Sequence, residues 1–180
     1  MRIVGGSLKG RRFSPPKQFR ARPTTDTARE ALFNILTNHI DFEESSVIDL
    51  FAGTGAISLE FASRGVRQIT SVEKDFHHFS FIRKCVAELG LEETISIVKS
   101  DVFNFLKHKG VAPASLIFAD PPFDMPSFEA ILPAILDSGL LLPDGLLIIE
   151  HSSKNDFSGH HKFISLRKYG KVHFSFFGTM

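Results

Sequence analysis

The sequence predicts an α/β fold in which a mostly parallel sheet is covered by helices on both faces. After residue 45, short apolar runs alternate with longer amphipathic segments four times, and this order is typical of parallel sheets that are buried on both sides. Two further short, alternating segments flank Tyr169-Gly170, which predicts an antiparallel hairpin at the edge of the sheet. The expected sheet therefore has seven strands.

The spacing of apolar residues sets the expected bounds of each element. Continuous or alternating apolar runs predict strands, and recurrence every three to four residues predicts helices. The helices are expected, in order, at 26–38, 56–63, 75–89, 102–108 and 127–136. The strands are expected at 47–51, 68–73, 94–99, 115–120 and 146–150, followed by the hairpin segments 162–166 and 171–177.

The first and last helices show the helical pattern clearly. The segment 26–38 repeats apolar residues on one face, and Pro15-Pro16 and Pro23 break the chain before it. In the segment 127–136, five apolar residues share one face: Phe128, Ile131, Leu132, Ile135 and Leu136. Both segments are therefore expected to pack one side against the sheet.

Composition excludes several classes of protein. The chain has 180 residues, of which 43% are hydrophobic and 23% are charged, which is typical of one globular domain with at most a small appendage and excludes disordered, collagen-like and coiled-coil chains. Cys85 is the single cysteine, so a disulfide framework is excluded and a reducing cytosol is expected. Since the sequence shows neither a signal peptide nor a membrane span, we expect a cytoplasmic protein with no membrane partner.

The net charge of +1 hides an uneven distribution. Residues 1–30 carry eight basic and two acidic side chains, whereas the remaining 150 residues carry 13 basic and 18 acidic ones. In the basic part, Arg2–Val4 and Arg11–Phe13 flank glycine-rich turns. We therefore expect residues 1–40 to form a basic hairpin and helix, attached to a more acidic domain made of residues 41–180.

A glycine loop follows the first predicted strand of the acidic domain. The sequence runs from Asp49 to Gly55 as Asp-Leu-Phe-Ala-Gly-Thr-Gly and then enters a helix; such glycines let a ligand approach the main chain at the carboxyl edge of an α/β sheet. A dinucleotide motif would need Gly or Ala where this chain has Ser58. Asp49 would repel a pyrophosphate but could lie beneath a ligand ammonium group. The loop therefore favours S-adenosyl-L-methionine over a dinucleotide.

Acidic residues also end the next two predicted strands. Glu73 follows Gly55 by 18 residues, where a carboxylate can accept both ribose hydroxyls of a nucleoside. Asp101, followed by Val102, offers an acceptor for the exocyclic amine of adenine and an apolar flank for its ring. The competing interpretation is that these carboxylates cap helices or are simply solvated. Three acids at three successive strand ends favour a bound nucleoside.

The fourth predicted strand leads directly into Asp120-Pro121-Pro122-Phe123. Two prolines remove amide donors and stiffen the turn, so the Asp120 carboxylate, the Pro121 carbonyl and the Phe123 ring form a rigid site rich in acceptors. Two acceptors can bind both hydrogens of a planar amine, and the ring can stack on a base that has been flipped into the site. The alternative is a plain turn in which the prolines only end the strand.

Taken together, these motifs resemble the RsmD family of 16S rRNA (guanine(966)-N2)-methyltransferases. The resemblance rests on Met1-Arg-Ile-Val-Gly-Gly, on residues 22–34 (Arg-Pro-Thr-Thr-Asp-Thr-Ala-Arg-Glu-Ala-Leu-Phe-Asn), on the glycine loop and on Asp120-Pro-Pro-Phe123. It implies a Rossmann-like class I fold and transfer of a methyl group from S-adenosyl-L-methionine to N2 of a guanine.

The resemblance also assigns site residues. Those implied to bind the cofactor are Asp49, Phe51, Ala52, Gly53, Thr54, Gly55, Glu73, Lys74, Asp101 and Val102, with Thr24, Thr25 and Arg29 shaping the same site. Those implied to hold the target base and carry catalysis are Asp120, Pro121, Pro122 and Phe123.

The implied partner is 16S rRNA within a partly or fully assembled small subunit, bound by a monomer. The basic N-terminal segment is expected to follow the RNA phosphates as a flexible arm. The residues expected to contact them are Arg2, Lys9, Arg11, Arg12, Arg20 and Arg22. No metal is expected, because the adjacent pairs His77-His78 and His160-His161 do not match a zinc pattern.

Three other functions stay open at this point. The same four-residue site could serve another planar amine or amide, such as N6 of adenine or a glutamine side chain. A non-catalytic RNA-binding protein could retain the fold, although the intact Asp120-Pro-Pro-Phe123 motif argues against it. A dehydrogenase is disfavoured by Asp49 and Ser58, and fold alone cannot choose among these functions.

Overall fold

The computed structural model describes residues 1–16, 19 and 25–178 and confirms the predicted α/β fold. Its seven strands are β1 Ser46–Leu50, β2 Gln68–Glu73, β3 Ile95–Lys99, β4 Ala114–Ala119, β5 Leu141–His151, β6 Phe163–Tyr169 and β7 Val172–Phe177. They form one sheet in the order β3-β2-β1-β4-β5-β7-β6. The strands β1 to β5 are parallel, and β7 pairs antiparallel with both β5 and β6.

Helices cover both faces of the sheet and enclose two apolar clusters. They are α1 Asp26–Leu36, α2 Ala56–Ser63, α3 Phe76–Leu89, α4 Val102–Leu106 and α5 Ile131–Asp137, the last preceded by one 3-10 turn. The buried residues of α1, α2 and α3 belong to one cluster, and those of α4 and α5 belong to the other. Within the described residues, no helix is both long and apolar enough to cross a membrane.

Several bounds differ from those expected. β5 begins at Leu141 because Leu141 pairs with Ala114, although Pro143 and Gly145 interrupt the apolar pattern and the register shifts beside them. β6 continues to Tyr169 as the first arm of the hairpin, where Tyr169 pairs with Val172 of β7. At the N-terminus, the expected hairpin is limited to a single antiparallel bridge between Arg2 and Arg12.

The first 13 residues, called the head here, are held against α2, so the expectation of a flexible arm is wrong for this segment. The Val4 amide donates to a Glu60 carboxylate oxygen at 2.9 Å, and the Leu8 amide donates to the Ser63 hydroxyl at 2.9 Å. Ile3 is buried in the apolar cluster on this face. Because these partners lie more than 50 residues away in sequence, local glycine and charge content could not predict the contact.

A buried arginine joins the head to α1. The guanidinium of Arg29 donates to the Arg2 carbonyl oxygen at 2.6 Å and to the Asp26 carboxylate at 2.7 Å, and its side chain is almost fully buried. Glu60 lies 4.0 Å from the same group. The described part of residues 1–40 therefore shares the apolar core of the rest of the chain. The division into two domains at residue 40 stays a prediction.

The glycines of the head allow a direct test of its docking. Gly6 has φ +72°, and a methyl group added there would lie 1.9 Å from the Ser63 carbonyl oxygen. Gly10 has φ +89° but would place a methyl group in open space among the described residues. We expect Gly10→Ala to lower the free energy of unfolding by about 1–2 kcal/mol through the left-handed conformation alone. Gly6→Ala should lower it further and release the head.

The measurement is urea unfolding together with limited trypsin digestion at Arg11 and Arg12, for both variants and the parent chain. Release of the head predicts faster cleavage in Gly6→Ala than in Gly10→Ala. Equal unfolding free energies and equal cleavage rates for the two variants would contradict the described docking.

Candidate active site

The candidate site lies at the carboxyl edge of the sheet, where the order of the strands reverses. β1 pairs with β2 on one side and with β4 on the other, and ligands of open α/β sheets bind in the crevice at such a switch point. The Asp120 amide donates to the Leu50 carbonyl oxygen at 3.3 Å. The loop after β1 and the loop after β4 are therefore held side by side.

The glycine loop after β1 has an unusual backbone. Phe51 has φ +61°, which is a strained conformation for an aromatic residue, and Gly53 and Gly55 have φ of +56° and +74°. A methyl group added at Gly55 would come within 3.0 Å of Ile82 on α3. At Gly53, a methyl group would meet no described atom nearer than 3.8 Å. The loop therefore packs against α3 at Gly55, whereas its main chain at Gly53 has room for a ligand.

Asp49 lies at the base of this loop and is buried. One of its carboxylate oxygens accepts from the Ser58 amide at 3.1 Å and from the Ser58 hydroxyl at 2.5 Å. The hydroxyls of Ser58 and Ser71 also share a hydrogen bond. Burial raises the pKa of Asp49 to about 7, although the hydrogen bonds from Ser58 act in the opposite direction. The carboxyl group can therefore change its charge near neutral pH.

Glu73 joins the end of β2 to the glycine loop. One carboxylate oxygen accepts from the Gly53 amide at 2.7 Å, and the other accepts from the Asp75 amide at 2.7 Å. A carboxylate has about four acceptor positions in all, so each oxygen can accept a further hydrogen bond. The structure thus places Glu73 beside the main chain of the loop, as the nucleoside hypothesis requires.

Asp101 and Lys74 meet at the same edge. Asp101 caps α4 by accepting from the Phe103 amide at 3.0 Å, and it also accepts from the Lys74 ammonium group at 3.1 Å. Burial acts to raise the pKa of Asp101, but the hydrogen bonds from Lys74 and the helix amides outweigh it, so the pKa lies below its ordinary value. Asp101 is therefore a helix cap in this structure, and its contact with adenine beside the buried Val102 stays a prediction.

The loop after β4 presents the predicted base site. Pro121 is buried, Asp120 is half-buried, and Pro122 is exposed. The Phe123 ring is 39% exposed, which leaves its surface open to stacking. The Met125 amide donates to the Pro122 carbonyl oxygen at 3.0 Å, so a tight turn closes the loop behind the ring.

The other predicted site residues lie apart from these loops or outside the described residues. Thr25 caps α1 by accepting from the Ala28 amide at 3.2 Å, and Arg29 lies in the contact between the head and α1. Their roles at the cofactor stay predictions. Thr24, Arg20 and Arg22 lie outside the described residues. In the described part of the chain, no group of three His, Cys, Asp or Glu side chains is arranged to hold a metal.

Sequence reasoning missed several residues that organise the site. Ser58 counted only as a mismatch to a dinucleotide motif, yet it is the hydrogen-bond partner of Asp49. In the sequence, Ser71 and Glu60 are distinguished only as polar residues within apolar runs, which is a weak indication of a role. Phe76, which is 58% exposed and lies beneath the Lys99 ammonium group at 4.9 Å, gave no signal beyond its place after Asp75.

Comparisons with known proteins identify the family of the chain. The family described as Conserved hypothetical protein 95 matches residues 1–178 of the chain. Ribosomal RNA small subunit methyltransferase D of Escherichia coli strain K12 is 35% identical over 155 residues, which cover 86% of this chain and 76% of the relative. The chain belongs to the RsmD family.

Solved structures place this RsmD-family chain among the class I methyltransferases. The Escherichia coli protein yhhF aligns with a TM-score of 0.85 at 28% identity, covering 100% of this chain and 99% of that chain. Precorrin-6y C5,15-methyltransferase from Geobacter metallireducens GS-15 aligns with a TM-score of 0.70 at 14% identity, covering 98% and 97%. The second likeness shows the fold alone, which is the Rossmann-like class I fold expected from the sequence.

The raised pKa of Asp49 gives the RsmD-family chain a specific pH dependence of stability. The pKa is 3.8 in the reference state and about 7 in the folded state, so between these values the folded state binds more protons than the unfolded state. Stability from this group is therefore greatest at low pH and is lost as the pH rises through about 7. Since one pKa unit corresponds to 1.36 kcal/mol, the loss is at most about 4 kcal/mol.

We expect Asp49→Asn to remove this dependence while retaining an acceptor for Ser58. The free energy of unfolding, measured with urea from pH 5 to pH 8, should fall more steeply in the parent chain than in Asp49→Asn. Asp124→Asn, at an exposed aspartate, is the matched control and should follow the parent chain. Parallel curves for the parent and Asp49→Asn would show that Asp49 does not titrate in this range.

Proposed function

We propose that this chain transfers the methyl group of S-adenosyl-L-methionine to the exocyclic N2 amine of a guanine in 16S rRNA, at the position numbered 966 in the family name. The observation that carries the proposal is the pairing of β1 with β4, which holds the glycine loop and Asp120-Pro121-Pro122-Phe123 side by side. Membership of the RsmD family supports the choice of acceptor.

The residues at the carboxyl edge fit S-adenosyl-L-methionine. When bound, the cofactor supplies an electrophilic methyl group on a positively charged sulfur. Glu73 and Asp101, together with Asp49 in its charged form, give the site a negative character that suits a cation and opposes a pyrophosphate. The open main chain at Gly53 leaves room for a ligand beside the Glu73 carboxylate. We assign Glu73 to the ribose hydroxyls and Asp101 with Val102 to the adenine.

The loop after β4 supplies what the acceptor amine requires. The lone pair of an exocyclic amine is delocalised into the base, so the nitrogen is a poor nucleophile while it stays planar. In the proposed complex the Asp120 carboxylate and the Pro121 carbonyl oxygen accept its two hydrogens, and the exposed Phe123 ring stacks on the base. Placing the nitrogen in line with the methyl group then contributes roughly 7–11 kcal/mol by orientation alone.

The proton inventory of the reaction is simple. The new bond between nitrogen and carbon forms as the bond between sulfur and carbon breaks, which leaves one excess proton on the nitrogen. The Asp120 carboxylate, already hydrogen-bonded to that nitrogen in the proposed complex, is placed to accept the proton and release it to solvent. The chain's own groups therefore bind, orient and deprotonate the amine.

The head is proposed to contact the RNA from a fixed position. Lys9, Arg11 and Arg12 are exposed, and Arg2 is half-exposed beside Asp26. Because the head is docked on α2, these cations can position phosphates without first ordering a flexible segment. We propose that the substrate is a partly or fully assembled small ribosomal subunit in the cytoplasm, and that the chain acts as a monomer.

Asp120→Asn tests the proposed chemistry. We expect the rate of methyl transfer to fall about 10²-fold or more, because the amide lacks the charge that stabilises the developing positive nitrogen. Binding of S-adenosylhomocysteine should be nearly unchanged. The measurement uses labelled S-adenosyl-L-methionine and small subunits from cells that lack this protein, followed by digestion to nucleosides.

Asp124→Asn, four residues further along, is the matched control and should transfer methyl groups at the parent rate. N2-methylguanosine as the labelled product would support the proposal. N6-methyladenosine would show that the acceptor is N6 of adenine and not N2 of guanine. Binding of cofactor and subunits by the parent chain without any transfer would overturn the catalytic role.

Glu73→Gln tests the ribose contact. We expect S-adenosylhomocysteine to bind the variant about tenfold more weakly, because hydrogen bonds to a charged acceptor are worth about 1.5–3 kcal/mol. An analogue that lacks both ribose hydroxyls should bind the parent and the variant with nearly equal affinity. Calorimetric titration measures both ligands, and Glu93→Gln at an exposed position is the control. An equal loss for both ligands would limit Glu73 to holding the glycine loop.

A further inference from the structure

A second concentration of positive charge lies at the C-terminal end of the chain. Residues 154–180 carry five basic side chains and one acidic one, whereas residues 31–153 carry eight basic and seventeen acidic ones. The C-terminal segment is therefore basic although the domain to which it belongs is acidic as a whole. The five basic residues are Lys154, Lys162, Arg167, Lys168 and Lys171.

The topology places three of these residues at the same edge of the sheet as the active site. β7 is antiparallel to β5 and to β6, so β6 runs in the same direction as β5 and ends at the carboxyl edge. His151 at the end of β5 pairs with His173, and Tyr169 pairs with Val172. We define the hairpin tip as Arg167–Lys171. It lies three strand spacings, about 14 Å, from β4 and the loop with Asp120.

The three cations of the hairpin tip are exposed and take part in no ion pair within the described residues. Arg167, Lys168 and Lys171 are all exposed, and none of the ion pairs within the described residues involves them. By contrast, the exposed Lys74 and Arg67 each pair with a carboxylate. The hairpin tip therefore presents three exposed cations on a supported strand end, and one of them, Lys168, also interacts electrostatically with Asp156.

One residue of the hairpin tip, Arg167, faces the side of the sheet on which the head is docked. Arg167 pairs with Phe174, and paired residues point to the same face of a sheet. Phe174 belongs to the apolar cluster that also contains Ile3 of the head, and Tyr169 packs against that cluster. Arg167 and the head therefore lie on one face of the sheet, whereas Lys168, which pairs with His173, points to the opposite face.

We propose that the hairpin tip is a second contact with the RNA, in which Arg167, Lys168 and Lys171 bind phosphates that flank the target nucleotide. The proposal rests on the proposed function. Contacts of this kind fix the position of a nucleic acid without reading its bases. With the head as the other point of attachment, the RNA is held at two places, which fixes the orientation of the strand across Asp120 and Phe123.

A different role for the same charges makes an opposite prediction. β6 is an edge strand, and lysine or arginine side chains on edge strands prevent pairing with other chains. If edge protection is the whole role, removal of the charges leads to self-association and leaves the affinity for RNA unchanged.

The test compares two triple variants with equal changes in charge. The hairpin variant carries Arg167→Gln, Lys168→Gln and Lys171→Gln. The control carries Lys84→Gln, Lys107→Gln and Lys109→Gln, at exposed positions on α3 and after α4. Circular dichroism and binding of S-adenosylhomocysteine verify that both variants are folded. Methyl transfer into small subunits is then measured from 50 to 200 mM salt, and size-exclusion chromatography reports the oligomeric state.

We expect the hairpin variant to raise KM about tenfold or more with kcat nearly unchanged. The slope of log(kcat/KM) against log salt should become less steep by about 2, since each lost phosphate contact removes about 0.7–0.9. The control should match the parent chain in both quantities. An unchanged KM and slope would overturn the proposal, and self-association with an unchanged KM would assign the charges to edge protection.

A failure of the proposed methyl transfer can be distinguished from a failure of the proposed RNA contact. If the parent chain transfers no methyl group to small subunits, the same variants are compared by direct binding of small subunits in the presence of S-adenosylhomocysteine. A loss of affinity confined to the hairpin variant would support the RNA contact independently of catalysis, and equal affinities would overturn it.

Discussion

The direct pairing of β1 with β4 is the constraint on which the rest of the site depends. Both strands are nearly fully buried, and their register brings Leu50 opposite Ala119, with Asp120 hydrogen-bonded to Leu50. Because parallel strands present their carboxyl ends at one edge, the glycine loop and the loop with Asp120 emerge together. Glycines shape one loop and prolines stiffen the other, so the sheet sets the distance between the two loops.

A buried polar network holds this arrangement in place, although it requires burial of the Asp49 carboxyl group. Asp49, Ser58 and Ser71 link β1, α2 and β2 through hydrogen bonds, which fixes the start of α2 behind the glycine loop. The raised pKa of Asp49 shows that its charged form is unfavourable in this environment. A ligand cation near this carboxyl group would favour the charged form again. In the proposed complex, the cofactor cation would therefore offset part of the free energy that burial of Asp49 costs the free protein.

The sequence predicted those features that depend on local pattern. The bounds of α2 and β2 are confirmed, and the helix bounds elsewhere differ by one or two residues at most ends, because apolar periodicity reflects burial against the sheet. The docking of the head on Glu60 and Ser63 could not be predicted, since it depends on partners distant in sequence. The same holds for Ser58, whose importance follows only from its distance to Asp49.

The charge distribution reflects two ligands with opposite requirements. A site that binds a sulfonium cation gains from carboxylates, whereas RNA phosphates are repelled by them. One surface cannot favour both ligands, so basic side chains must lie beside the acidic edge and not within it. The Debye length at physiological salt is about 8 Å, which is shorter than the roughly 14 Å between β4 and the hairpin tip. The negative potential at the cofactor site and the positive potential at the hairpin tip can therefore persist together at one edge of the sheet.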